Sequence, residues 1–272
     1  MMKTAAKIVK SVFRGRSKTN PRFRKISWVQ EKILKHQEDQ TIKTVAFENF
    51  SVSYKRPYEL LHTYKEIFER EIYRFTTSSS NPLIIDCGAN IGLSVLYYKT
   101  IYPAANVIAF EPDANNFQLL QKNINQNKFQ QVTLRQEAVW IANGNISFSA
   151  NETEASRISE QESKTVLVAS VRFNDFLNQF KEIDFLKMDI EGAEWEVIRD
   201  CATNLPKIKN LFLEYHGKVD ETQKLNDLLK IVNEAGFSVY MKMAADQLSH
   251  PFVQKTLDLP YDVQLNLFCY KQ

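Results

Sequence analysis

Two groups of ionisable residues sit where apolar runs end, the place where an open α/β sheet presents its ligands. The first follows Leu83-Ile-Ile85 and reads Asp86-Cys87-Gly88-Ala89-Asn90-Ile91-Gly92; Glu111 ends a second run, Asn106-Val-Ile-Ala-Phe110. The second group is Lys187, Asp189 and Glu191, at the end of Ile183–Ile190, with Glu214 and His216 at the end of Asn210–Gly217. If those two ends are neighbours, one crevice receives three carboxylates and an imidazole. Lys187, two residues before Asp189, shares its side of the strand and would offset their charge.

The first group reads as strand, tight glycine turn and helix start, the βα unit that holds nucleotide-like ligands. Only 7 glycines occur in 272 residues, so Gly88, Gly92, Gly192 and Gly217 at strand ends answer a backbone need. A dinucleotide turn runs G-x-G-x-x-G so that backbone can approach a pyrophosphate. Here Asn90 replaces the middle glycine, which favours a ligand without a pyrophosphate there. A carboxylate at Glu111 can accept hydrogen bonds from both ribose hydroxyls. Together these features point to S-adenosylmethionine. Asp86 and Asn90 would serve its methionine end or the turn around it, and free N–H groups after Gly92 would favour its carboxylate. Cys87 reads as a small buried residue inside the turn.

Asp86-Cys-Gly-Ala-Asn-Ile-Gly92, Phe110-Glu-Pro112 and Lys187-Met-Asp-Ile-Glu-Gly-Ala-Glu194 resemble the signature blocks of the FkbM-type methyltransferases. The resemblance is strong over 83–217, looser over 41–82 and 218–271, and absent from the first 40 residues. It implies a class I, Rossmann-like α/β fold: a doubly wound, mostly parallel sheet with an antiparallel last strand. It also implies methyl transfer, mostly to hydroxyl oxygens of sugars or polyketide-like molecules. In that class the residues at the end of the third strand flank the adenine, which would place Glu137 and Ala138 there, with Pro112 beside Glu111; a solvated loop acid is the alternative for Glu137. Residues 41–82 would cover the cofactor cleft.

Methyl transfer from a sulfonium is an in-line displacement, governed mostly by proximity and orientation. A general base adds about 10²–10⁴-fold. In one reading of the second group His216 or Asp189 is that base, with Glu214, Glu191 and Lys187 around it. In another, Asp189, Glu214 and His216 hold a divalent cation that orients the acceptor. The bland alternative is that they hydrogen-bond one another and order the loops. No dense ligand spacing supports a metal, so none is expected.

The positioning elements follow from periodicity. Residues 26–38 look helical, 42–54 alternate like a small hairpin, and Leu60–Phe75 has helical spacing with an aromatic stripe that suits core packing better than a lid. A helix over 114–126 separates the second strand from a third, Val132–Trp140. Ile146–Ala150 and Val166–Val171 read as strands flanking a polar, glycine-free excursion, 151–165, whose Ser156-Arg157 could meet an acceptor. Phe173–Phe180 and Glu194–Leu205 read as helices, as does a segment through Leu225 and Val232 stopped by Gly236. Ser238–Met243 and Val263–Tyr270 close the sheet. The organisation is thus a basic helical extension (1–40), a lead-in hairpin and helix (41–82) and a methyltransferase domain (83–272).

The composition, 44% apolar and 25% charged, is that of a globular protein. No apolar run approaches the ~20 residues that span a bilayer. Cys87, Cys201 and Cys269 form no C-x-x-C pair, which fits a reducing, cytoplasmic setting without a disulfide framework or zinc site. Nine basic and no acidic residues lie in 1–25, leaving 26 basic against 32 acidic over the rest, a net −6. A nucleic-acid enzyme more often carries its basic surface beside the active site, which argues against DNA or RNA as the substrate; the small-molecule hydroxyl acceptor is what the family resemblance implies. Residues 1–14 space their apolar residues helically between lysines. A contact with an anionic membrane surface is one reading, and a short helix docked on the body, favoured because only about three turns are amphipathic, is the other. Rival functions are a nicotinamide-dependent Rossmann oxidoreductase, opposed by the missing G-x-G-x-x-G, and an inactive module that binds cofactor without turnover. The sequence is silent on the acceptor's identity and on oligomeric state.

Overall fold

The computed structural model describes residues 23–39, 41–149, 165–246, 248–254 and 260–271. The basic 1–14 segment and Ser156-Arg157 lie outside them. Helix α1 (Trp28–Lys35) begins at a capping box, with Ser27 and Gln30 satisfying each other's backbone N–H groups. Strands β1 (Lys43–Ala46) and β2 (Ser51–Tyr54) form the expected antiparallel hairpin. Helix α2 (Pro57–Tyr64) then widens into a π turn over Lys65–Glu69, where the Arg70 N–H donates to the Lys65 carbonyl at 2.9 Å. The expected helix to Phe75 therefore stops early, as Glu71 turns left-handed at φ 49°. Its apolar residues still point inward: Tyr64 stacks between Phe47 and Phe68 at 4.3 and 4.8 Å.

From there the chain alternates. Strands β3 (Leu83–Cys87), β4 (Asn106–Phe110) and β5 (Val132–Arg135) are joined through helices α3 (Leu93–Ile101) and α4 (Ala114–Gln126). Asp113 caps α4 by accepting from the N–H groups of Asn115 and Asn116. The expected third strand does not run through to Trp140. It breaks after Arg135, and β6 (Ala138–Trp140) joins β7 (Gly144–Ser149) and β8 (Thr165–Arg172) in a separate three-stranded sheet. A short helix α5 (Phe173–Leu177), β9 (Ile183–Met188), helix α6 (Glu194–Asp200), β10 (Ile208–Gly217), helix α7 (Thr222–Glu234), β11 (Ser238–Ala245) and β12 (Val263–Tyr270) complete the chain.

The main sheet has the order β11-β12-β10-β9-β3-β4-β5. Strands β5, β4, β3, β9 and β10 run parallel, and β12 is antiparallel to both β10 and β11, as the expected fold class requires. Alternate residues feed two cores: Ile84, Val107 and Phe185 face the lead-in aromatics, while Ile85, Leu186 and Leu213 face Val197, Leu228 and Phe237. All six β9 residues are buried, as expected of a parallel strand covered on both faces.

Two features aim this scaffold at the strand ends. The order reverses at β3, with β4 on one side and β9 on the other, and such a switch point opens a crevice beyond the carboxyl ends. The hairpin is clamped by α4. Ser53 N–H donates to Asn123 Oδ1 at 2.6 Å, while Asn123 Nδ2 donates to the carbonyls of Ser53 at 3.0 Å and Ile91 at 2.8 Å. One buried amide thus ties the lead-in hairpin to the glycine turn.

Candidate active site

At the end of β3 the chain must turn back under its neighbour, and glycine permits this. Gly88 and Gly92 have φ of 85° and 93°, in the region that favours glycine. A side chain at Gly88 would put its Cβ 1.8 Å from the carbonyl oxygen of Asp189. The absent side chain lets the ends of β3 and β9 approach one another. The N–H groups of Gly88 and Ala89 both donate to the Phe110 carbonyl, at 3.1 and 2.9 Å.

Glu111, just past β4, holds the same turn from the other side. Its carboxylate accepts the N–H of Asn90 at 2.8 Å and of Asp113 at 2.9 Å. Burial pushes its pKa up to about 7, against the pull of those two backbone donors. Asp86 is fully buried, accepts from the Ser94 hydroxyl, and lies 3.4 Å from Lys187 Nζ. Burial raises its pKa, and Lys187 and Ser94 act against that rise.

Lys187 joins the two groups. Its buried ammonium donates to the Gly88 carbonyl at 2.8 Å and pairs with Asp86 and Asp189, each at 3.4 Å. Burial alone would discharge it, but the carboxylates of Asp189 and Asp86 outweigh burial and hold its pKa above the ordinary value. Across β10, the His216 side chain is 3% exposed. Its Nδ1 faces Glu194 Oε1 at 3.3 Å, and its Nε2 faces Glu191 and Glu214 at 3.7 and 3.8 Å. Burial lowers its pKa, but Glu194, then Asp189 and Glu191, raise it to about 10. At neutral pH this imidazole is charged. Glu214 is pushed well up, first by burial and then by Asp189.

A cavity of about 260 Å³ brings most of these groups together. Gly88, Ala89, Asn90, Lys187, Asp189, Glu191, Glu214 and His216 line it, together with Arg56 just before α2, Glu59 of α2 and Glu66 of the π turn. Asp86, Gly92, Glu111, Pro112, Glu137 and Ala138 are not among its lining residues. Asp86 and Glu111 stand directly behind the turn, whereas Glu137 pairs with Arg135 and Ala138 leaves with β6.

Sequence reasoning left Glu194 without a role. It is fully buried and accepts the N–H groups of Ile190 at 2.9 Å and Gly192 at 3.1 Å, besides facing His216. Its signal was present, since an acid just past Glu191-Gly192 can fold back on the turn. Tyr261, whose hydroxyl donates to the Glu191 carbonyl and whose ring lies 5.1 Å from His216, had no such signal. Gly192 has φ 99°, and a Cβ there would meet the Tyr261 ring.

A reversed parallel sheet with an antiparallel last strand inserted between β10 and β11, and a glycine turn at its switch point, defines the Rossmann-like fold of class I methyltransferases. Within it the chain belongs to the FkbM methyltransferase family: residues 86–239 match the Methyltransferase FkbM domain. It is 34% identical over 172 residues to "Methyltransferase sdnD" of Sordaria araneosa, covering 50% of this chain and 66% of that protein. It is 28% identical over 178 residues to "Hexuronic acid methyltransferase AglP" of Haloferax volcanii, covering 62% of this chain and 70% of that one. The solved FkbM methyltransferase of Methylobacillus flagellatus KT shares 18% identity with a TM-score of 0.49, over 72% of this chain and 45% of that one. Among the described residues, no helix is long and apolar enough to cross a membrane.

Proposed function

We propose that this protein is an S-adenosylmethionine-dependent O-methyltransferase acting on a hydroxyl of a sugar or polyketide-like small molecule. The observation that carries the reading is the single cavity lined by both the glycine turn and the acids of β9 and β10. Family membership and the hexuronic acid named for AglP support the substrate class.

The residues suit the cofactor. Gly88, Ala89 and Asn90 line the cavity, Glu111 is a buried carboxylate that accepts the Asn90 N–H of the same turn, and the buried Asp86 Oδ1 behind that turn has no hydrogen-bond partner. When bound, S-adenosylmethionine supplies a methyl carbon that takes the acceptor oxygen's lone pair while the C–S electron pair returns to sulfur. Gly88 to Asn90 would hold the cofactor's methionine half, and Glu111, just behind the turn, would accept from its ribose hydroxyls. Asp189 and Glu214 orient the acceptor hydroxyl, and its proton passes to the strand-end carboxylates. His216, charged at neutral pH through Glu194, holds those acids in place rather than taking the proton. The lead-in segment 41–82 covers the site with α2.

The test is calorimetric titration with S-adenosylhomocysteine and, separately, NADH, followed by methyl-transfer assays on uronic acid glycosides. The reading expects S-adenosylhomocysteine to bind, NADH to give no heat, and Glu111→Ala to lose the binding. NADH binding without S-adenosylhomocysteine binding would replace it with the oxidoreductase.

A further inference from the structure

We propose that Asp189, Glu214 and His216 form a site for a divalent cation of the Mn²⁺ type, placed to hold the acceptor hydroxyl. The proposal deepens the methyltransferase reading and rests on it. One carboxylate oxygen from each acid and one imidazole nitrogen all lie within 4.8 Å of one another. Two ligands of a single ion at ~2.1–2.2 Å stand roughly 3.0–4.4 Å apart, depending on the angle between them. The pair at 3.8 Å, Glu214 Oε1 and His216 Nε2, already falls in that range, and the widest gap need close by only a few tenths of an ångström.

The surroundings are those of a ligand histidine. Metal-binding imidazoles generally give their second nitrogen to a carboxylate or carbonyl that fixes the ring. His216 Nδ1 faces the fully buried carboxylate of Glu194 at 3.3 Å, which directs Nε2 at the acids. The oxygens nearest Nε2, on Glu191 and Glu214, stand at 3.7 and 3.8 Å, beyond hydrogen-bond reach. This nearly buried nitrogen is therefore aimed at a space with acids on its far side. Lys187 engages Asp189 through Oδ2, which leaves Oδ1 for a second partner.

Charge and donor type point the same way. Asp86 and Asp189 pair with the Lys187 ammonium, while Glu191, Glu194 and Glu214 gather round His216. A dication displaces the Nε2 proton, as metals binding histidine generally do. Two carboxylates and one imidazole make a mixed oxygen–nitrogen set that suits Mn²⁺ better than Mg²⁺ or Ca²⁺. An acceptor hydroxyl on the ion ionises more readily, and its proton has Glu191 beside it to accept it.

The experiment is a Mn²⁺ titration of the full chain followed by electron paramagnetic resonance, with calorimetric S-adenosylhomocysteine binding measured on the same sample. One Mn²⁺ per chain at sub-millimolar affinity is expected, weakened about tenfold or more in Asp189→Asn and Glu214→Gln and unchanged in Glu196→Gln. If those two variants fail to fold, wild-type ¹H NMR decides: bound Mn²⁺ must broaden the His216 ring signals while those of His36 stay sharp. Mn²⁺ left free into the millimolar range, unchanged binding in Glu214→Gln, or displacement of Mn²⁺ by S-adenosylmethionine would overturn the site. S-adenosylhomocysteine binding that persists in such a case leaves the methyltransferase reading standing; its absence removes that reading as well.

Discussion

If Glu111 accepts from the cofactor ribose as proposed, its ionisation makes cofactor affinity depend on pH in a direction set by its burial. Its carboxylate is buried behind the glycine turn, and burial raises its pKa from 4.5 to about 7. That gap corresponds to about 3 kcal/mol favouring the protonated form in the folded chain. The stability it confers is fully present below pH 4.5 and is lost as pH rises through 7. Binding responds oppositely, because a protonated carboxyl cannot accept from both ribose hydroxyls with the strength of a carboxylate. The ionised fraction rises from about 0.1 at pH 6 to about 0.9 at pH 8, so the apparent Kd for S-adenosylhomocysteine should tighten about tenfold over that interval. Asp86 and Glu214 are also raised, so the slope needs a control, which Glu111→Gln supplies. That variant should lose the pH slope and bind ~10- to 150-fold more weakly at pH 8, since a hydrogen bond to a charged group contributes about 1.5–3 kcal/mol. Calorimetric titrations of both proteins at pH 6, 7 and 8 decide. A wild-type slope retained in Glu111→Gln would assign the titration to another group and refute the reasoning.

Three further outcomes follow from contacts around the site. Gly88→Ala places a Cβ against the Asp189 carbonyl at a φ of 85° and should cost several kcal/mol, read as a large fall in Tm; a wild-type Tm would contradict the close approach of β3 and β9. Asn123→Leu removes the buried amide shared by Ser53 and Ile91 and should cost roughly 3 kcal/mol at about 1 kcal/mol per bond; urea unfolding measures it, and a loss below ~1 kcal/mol would show that the hairpin is held by packing alone. Glu194→Gln removes the largest influence that raises His216 and leaves burial to lower it. The His216 pKa should then fall well below about 10 in an NMR titration, and an unchanged value would mean that Asp189 and Glu191 suffice.

The parts of this fold legible in the sequence are those in which local chemistry and tertiary structure agree. Helix α4 begins and ends where its apolar period does, because Asp113 caps it by local bonds. The β3 turn was legible because two left-handed positions carry glycine in a glycine-poor chain. The expected helix to Phe75 and the strand to Trp140 failed for a shared reason. In each, the apolar pattern continues while the backbone changes partner. At Lys65–Glu69 the bonds shift to a π turn. After Arg135 the chain leaves β4 and pairs with β8, from a segment more than twenty-five residues away. The charge on His216 was equally hidden, since it depends on Glu194, Asp189 and Glu191 arriving from the neighbouring strand's end.

The two halves of the candidate site are mechanically one object, and Lys187 is the reason. Its ammonium bonds the Gly88 carbonyl at the end of β3 and pairs with Asp189 past the end of β9, while Asp86 lies within 3.4 Å. A side chain at Gly88 would drive the Asp189 carbonyl away and so pull this pairing apart. The signature blocks around residues 86 and 187 are therefore one contact read from two places in the chain. Losing one partner of a buried pair leaves an uncompensated charge, which costs more than the pair itself contributes. Neither block can drift without the other, and under the proposed function this coupling sets the separation between the methyl donor at the end of β3 and the acceptor oxygen at the ends of β9 and β10. In an in-line displacement that separation is the quantity an enzyme must control.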